Sequence, residues 1–294
     1  MDNNLYPFSP IVSRPKVVWP GDARLAVYVG LNLEHFHVDR PSTSIWPGTA
    51  HLQPDPLNHG WRDYGARVGL WRLIEIFDRH GVRPSALVNS EVVERYPEIL
   101  QAGLARDWAW VAHGRTNSQL HSGFTPEEEQ RELAEILGAI ARATGRAPQG
   151  WMGPGLTETY DTPRLLKALG ASYVLDWTAD DQPFPLSVPG MISVPYSVEL
   201  NDIMLFVTKS FTGEEFYQAV VDQFDQLYAD SAGSGRVMAL ALHPFVVGQA
   251  FRARHLDRAL AHIARHRDVW LTTSDEIAAA YRAQTRAGGA ADTA

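Results

Sequence analysis

Four acids and bases stand where short apolar runs end. Leu25–Leu33 delivers Glu34, Trp108–Ala112 delivers His113, Ala171–Leu175 delivers Asp176, and Arg236–Leu242 delivers His243. Carboxylates and imidazoles are the groups of general acid–base chemistry: one takes a proton from water, another gives one to a leaving group. Short β-rich runs alternating with helical segments predict parallel strands joined by crossover helices. In such folds the strand C-terminal ends converge on one face, and active sites are built there. Glu34, His113, Asp176 and His243 are therefore the candidate catalytic residues of an enzyme.

The elements that must position these groups start with residues 1–24, a loop-rich arm with Pro7, Pro10, Pro15 and Pro20. Residues 37–63 form a long connection containing Trp46, His51, His59 and Trp61, and so long a loop is more often functional than idle. It is a candidate lid. The spacing of Val68, Trp71, Ile74 and Phe77 predicts a helix over about 65–80, capped by Gly81. A strand near 84–89 and a helix near 91–103 come next. Thr125-Pro126-Glu127-Glu128 and Thr212-Gly213-Glu214-Glu215 are capping boxes that open two further helices. Thr162-Pro163 opens a short helix ended by Gly170. A helix near 254–266, a strand at 269–271 and a helix from Ser274 close the pattern. The tail 287–294 is small and polar and is expected to fray. No repeat or composition break divides the chain, so one catalytic domain over 1–294 is expected.

Composition narrows the function classes. The 294 residues are 45% hydrophobic, enough for a sizeable core, and no run is long and apolar enough to span a membrane. Net charge is -8 and no basic cluster alternates with aromatics, which excludes nucleic acid as the expected partner. The chain has no cysteine, so disulfides, thiolate ligands and a cysteine nucleophile are all absent. The start, Met1-Asp2-Asn3-Asn4, has no secretory pattern, and a cytoplasmic location is the expectation. Any metal would need His, Asp, Glu or Asn ligands.

Five segments in order carry a resemblance: Leu31-Asn32-Leu33-Glu34-His35-Phe36, His113-Gly114-Arg115-Thr116-Asn117, Gly150-Trp151-Met152-Gly153-Pro154, Tyr173-Val174-Leu175-Asp176-Trp177 and Leu242-His243-Pro244. Together they resemble the motifs of the polysaccharide deacetylase (NodB-homology) superfamily, over about residues 24–282. Trp61-Arg62-Asp63-Tyr64-Gly65 and the run Val194–Asp202 resemble a narrower branch. That branch includes a uric-acid-pathway allantoinase, bacterial cyclic imide hydrolases and some peptidoglycan deacetylases. The resemblance implies an α/β fold, a distorted (β/α) barrel with fewer than eight strands, and commonly a homotetramer. It also marks Asn117, Trp151, Gly153, Pro154, Trp177, Tyr196 and Glu199 as candidate substrate-binding residues.

The usual deacetylase site of that family has an Asp pair in the first motif and His-x-x-x-His in the second. Here Glu34 is the only strand-end carboxylate of the first motif, and the second reads His113-x-x-x-Asn117. Asn is a poor ligand for zinc. Glu34 and His113 alone are too few for a tight site, so no metal cofactor is expected, zinc on those two residues being the alternative. A carboxylate at Glu34 or Asp176 would then serve as base and His113 or His243 as acid. Backbone N–H groups at Gly153-Pro154-Gly155, or the Asn117 amide, would stabilise the oxyanion. The expected substrate is a small cyclic imide or ureide, because its leaving group is better than an alkylamine. Two alternatives are a metal-dependent deacetylase of an N-acetyl sugar or polymer, and a binding protein without catalysis.

Blander readings stand beside these. Trp151 is equally a core aromatic, and Asp176 and Trp177 equally orient a partner. His35 and His37 share one face of an extended segment and would point together, away from Glu34, so a metal cluster of those three is not expected. His121 reads as a loop residue. Glu127-Glu128-Glu129 reads as a solvated helix start.

Overall fold

Nine consecutive buried residues make β1 (Leu25–Leu33). A parallel strand covered on both faces has no polar side to show, so it reads as a continuous apolar run. The other strands are β2 (Ser85–Val88), β3 (Ala109–Ala112), β4 (Gly150–Trp151), β5 (Tyr173–Val174), β6 (Phe184–Pro185), β7 (Ile192–Ser193), β8 (Arg236–Leu242) and β9 (Val269–Leu271). This computed structural model describes residues 4–291, with side chains to 285. The sheet path is β6-β7-β5-β4-β3-β2-β1-β8. From β7 to β8 the pairing is parallel throughout, and β6 adds an antiparallel edge. Those seven parallel strands form the distorted barrel expected. β9 lies off the path, beside Leu25–Val27 of β1, while β2 takes Gly30–Leu33.

The outer edge of β8 meets irregular chain instead of a further strand. Val237 N–H bonds to Asp181 O, Ala241 N–H bonds to Leu200 O, and Asn201 bridges Ala241. These contacts satisfy a sheet edge that would otherwise leave polar groups unpaired. They also carry Asp202 to the C-terminal end of β8.

The helices are α1 (Pro56–Tyr64), α2 (Leu70–His80), α3 (Ser90–Arg95), α4 (Pro97–Leu104), α5 (Pro126–Thr144), α6 (Thr162–Ala168), α7 (Gly213–Asp230), α8 (Ala250–Ile263) and α9 (Ser274–Ala291). Both expected capping boxes are formed, at Thr125 with Glu128 and at Thr212 with Glu215. Gly81 is left-handed and closes α2. The expected helix over 91–103 is two helices, because Tyr96 leaves helical geometry before Pro97. Of the tail 287–294, the α9 backbone reaches Ala291, and 292–294 lie outside the described residues. No described helix is long and apolar enough to cross a membrane.

Two expectations change. Helix begins at Pro56, not near 65, because the Asp55 carboxylate accepts the Asn58 N–H and Pro56 fills the first helical position. His59 and Trp61 therefore sit on a helix, and the connection shortens to 37–55. The arm's aromatic residues Tyr6, Phe8 and Trp19 read in the sequence as a surface for a neighbouring copy, but Trp19 is not free for one. It is buried within the chain, donates from Nε1 to Arg236 O and packs on Trp270.

Between α1 and α2 the helix passes through one π turn, Gly65–Gly69. Such turns often mark functional sites. Here the turn presses glycine backbone onto the segment after His243. A Cβ on Gly69 would meet Pro244 O at 2.0 Å, a backbone atom that cannot swing away. Gly69→Ala should therefore cost about 3 kcal/mol, at the upper end of overpacking penalties, as read by denaturant unfolding. A cost near zero would mean this contact does not hold His243.

Candidate active site

Glu34, His113, Asp176 and His243 lie just past the C-terminal ends of β1, β3, β5 and β8. Three of them meet. His113 Nδ1 lies 2.8 Å from Met152 O and so donates to it, which turns Nε2 toward Glu34 Oε1 at 3.4 Å. His243 Nδ1 lies 2.6 Å from Asp202 Oδ1, and its Nε2 is 3.7 Å from the same Glu34 oxygen. Asp202 is fully buried, and its other oxygen accepts the N–H of His243 (2.8 Å) and of Val247 (3.2 Å). Burial works to lower the pKa of His243, but Asp202 and Glu34 outweigh it, and the net shift is upward. His243 is thus held toward imidazolium by a carboxylate not among the residues expected from the sequence. Asp202 does end the segment that carries the branch resemblance.

Asn117 also reaches Glu34, and its orientation is fixed by a chain of donors. The His35 N–H bonds to Asn89 Oδ1 at 2.8 Å, so Asn89 Nδ2 faces His113 O and Asn117 Oδ1 (3.0 Å). The Asn117 oxygen is then occupied, and its Nδ2 donates to Glu34 Oε1 at 2.5 Å. An amide N–H2 presents hydrogens, not a lone pair, so it is no metal ligand. The family's carboxylate–His–His donor set is reduced here to Glu34 and His113, and the residues do not fit the family's metal. Asn89 is not among the residues expected from the sequence, although it too stands directly after an apolar strand.

Arg62 lines the cavity that Glu34 opens into, together with Asn32, Tyr96 and Phe245. Its guanidinium lies over the Phe36 ring at 4.9 Å and donates to Thr43 O at 2.6 Å. Burial lowers its pKa, opposed by Asp55 and Glu34. The 37–55 connection is tied to the site here, and again where Ser42 Oγ donates to Asn117 O at 3.1 Å. Tyr196 is buried with its hydroxyl 3.0 Å from Asn32 Nδ2. Burial raises its pKa, and the charges of Glu34, Asp202 and Asp176 add to that, so it stays a proton donor.

Asp176 has a different setting. Its Oδ1 accepts the Gly153 N–H at 2.7 Å, while Oδ2 is buried and unpaired, as is Glu158 Oε1. Burial raises both, Glu158 to about 7, and Asp176 rises well above the carboxylate range with Glu158 adding to the effect. Two neighbouring buried carboxyls do not both ionise readily, so each resists losing its proton. Asp176 is thereby less suited than Glu34 to act as base. The Gly153 N–H is occupied and Pro154 has none, so neither supplies an oxyanion donor.

Other expected residues lie elsewhere. Trp151 is fully buried, its ring 5.1 Å from His121 in the core. Trp177 packs edge-on against Tyr6 at 5.3 Å. Glu199 is exposed and pairs with Lys209 at 2.9 Å. His121 lies in a loop, as expected, but is buried there, and Glu129 is buried, not solvated. Glu129 accepts from His121 (3.0 Å), Thr159 (2.5 Å) and Thr162, which compensates its lost hydration. Glu129→Ala leaves those donors unmatched and should cost about 3 kcal/mol by chemical denaturation. A loss no larger than that of an exposed glutamate would contradict this.

With this geometry in place, known proteins become informative. The polysaccharide deacetylase family profile matches residues 62–174. A Schizosaccharomyces pombe protein named "Putative polysaccharide deacetylase" is 26% identical over 94% of this chain and 94% of its own. The Helicobacter pylori peptidoglycan deacetylase is 22% identical over 83% of this chain and 94% of its own. Among solved structures, Puue allantoinase superposes with a TM-score of 0.83 at 25% identity, covering 92% of this chain and 94% of that one. Fold, strand-end residues and these likenesses agree: residues 62–174 carry a polysaccharide deacetylase (NodB) domain match, and along most of its length the chain is similar to deacetylases and an allantoinase.

Proposed function

We propose that the chain hydrolyses a small cyclic imide or ureide, with no metal at Glu34. Its coarser class is hydrolysis of a non-peptide C–N bond, the class of its deacetylase and allantoinase relatives. The observation that carries the finer reading is the Asn117 amide, whose N–H2 occupies the place of the family's second imidazole and points at Glu34. A site without three metal ligands must use proton transfer and fixed charge. Glu34 takes the proton of the attacking water. The His243–Asp202 pair gives a proton to the departing nitrogen. Arg62, on the Glu34 cavity, supplies positive charge for the oxygen that becomes anionic. An imide releases a resonance-stabilised amide, so it needs less electrophilic help than an N-acetyl sugar. A ring N–H is also a donor suited to the acceptors Glu34 Oε1 and His113 Nε2.

The test is turnover of a panel of cyclic imides, cyclic ureides and N-acetyl sugars by purified protein. Hydrolysis of ring substrates with N-acetyl sugars inert is the expected result. Zinc-dependent release of acetate from N-acetyl sugars, with imides inert, would replace this reading by the deacetylase.

We also infer a homotetramer. Phe8 and Val12 in the arm are each 92% exposed, apolar side chains that a neighbouring copy would cover. Light scattering should show the assembly at micromolar concentration, and a monomer there would remove the claim.

A further inference from the structure

His35 and His37 do point together, as their alternation requires, with rings 5.5 Å apart. The carboxylate that joins them is not Glu34. It is Glu91, in the first turn of α3, whose Oε2 lies 3.5 Å from His35 Nε2 and 3.2 Å from His37 Nε2. The three ligand atoms all fall within 4.8 Å of one another, and theirs is the one such His/Asp/Glu group among the described residues. Ligands about 2.0–2.2 Å from a tetrahedral ion stand roughly 3.2–3.6 Å apart, the spacing of these two pairs.

We propose that His35, His37 and Glu91 bind a divalent transition ion of the zinc class, at an accessory site separate from the Glu34–His113–His243 centre. Two imidazoles and one carboxylate suit zinc and its neighbours rather than magnesium, which prefers six oxygens. The outer contacts are those a metal site needs. His35 Nδ1 meets the Tyr96 hydroxyl at 2.8 Å, which leaves Nε2 free to ligate. The His37 N–H is held by Ser118 Oγ at 2.7 Å, fixing the segment that carries both rings. Arg95 also pairs with Glu91 Oε2, at 2.9 Å, but it is half exposed, and such a pair is weak enough for an ion to displace.

The placement gives the ion a role. His35 comes directly after Glu34, and its carbonyl accepts from Thr116 Oγ1 (2.7 Å) and from the Asn117 N–H (3.0 Å). An ion here would clamp the chain leaving β1 onto α3, and so hold the residue that neighbours Glu34. Three protein ligands leave the fourth position to water.

The test uses full-length protein stripped of metal, titrated with zinc chloride by calorimetry, with cobalt(II) absorption as a second readout and magnesium as comparison. One equivalent of zinc is expected, with tetrahedral cobalt bands and no comparable magnesium binding. His35→Ala, His37→Ala and Glu91→Gln should each weaken zinc by about a hundredfold or more, beyond the loss seen for outer-shell partners. Glu34→Gln and His113→Ala should leave zinc affinity unchanged. Metal-free circular dichroism melts establish that each variant is folded. Failure of wild-type protein to bind zinc would overturn the proposal. So would binding that survives His37→Ala but is lost in His113→Ala, or magnesium binding as tight as zinc. The readout is metal rather than turnover, so the accessory site and the proposed reaction stand or fall separately.

Discussion

Glu34→Gln should lower kcat by at least about a hundredfold, the usual scale for losing an acid–base group. Three groups converge on Glu34 Oε1: the Asn117 amide at 2.5 Å, His113 Nε2 at 3.4 Å and His243 Nε2 at 3.7 Å. Glutamine keeps the volume and can still accept from Asn117 through its own oxygen, so the fold should survive. Glutamine cannot, however, take a proton from water. Steady-state kinetics beside a circular dichroism melt separates the two effects. Turnover near wild type on the true substrate would remove Glu34 from the chemistry.

Asp202→Asn should lower kcat on a similar scale, about a hundredfold, and should also move the pH profile. Asp202 helps hold the His243 pKa above its ordinary value against the effect of burial. An acid must be protonated to act, so activity is present below that raised pKa and lost as pH climbs through it. Removing the charge lowers the His243 pKa, and the alkaline limb of kcat shifts to lower pH. The same sign applies to stability. The His243–Asp202 pair contributes fully below the unfolded histidine value, and the contribution fades as pH rises through the folded one. An alkaline limb that stays in place in Asp202→Asn would show that His243 is not the acid.

The strand-end residues are legible because parallel strands announce themselves as unbroken apolar runs, and the residue after each run is delivered to one face. Glu34, His113 and His243 obey that rule and meet in space. Asn89 obeys it too, after Ser85–Val88, but an amide is neither acid nor base and so does not stand out in the sequence. Its work is orientation, through hydrogen bonds to residues close to it only in the fold. Asp202 ends no strand. It arrives through a single bridge at the edge of β8, which has no periodicity to read. Glu129 sits in a run of three glutamates whose neighbours are exposed, and only the folded partners His121, Thr159 and Thr162 distinguish it. The early start of α1 is legible in Asp55-Pro56, a cap and then a first-turn proline, but the surrounding prolines suggest loop.

The most direct measurement of the central claim is kcat on a cyclic imide or ureide substrate of the His37→Ala variant, which lacks the accessory ligand set, before and after exhaustive removal of metal, with zinc content recorded in each sample. The expected result is a kcat that stays within about twofold, since no transition-state interaction is lost with the metal. Loss of turnover on stripping, with recovery on adding zinc in proportion to metal bound at Glu34 and His113, would contradict it.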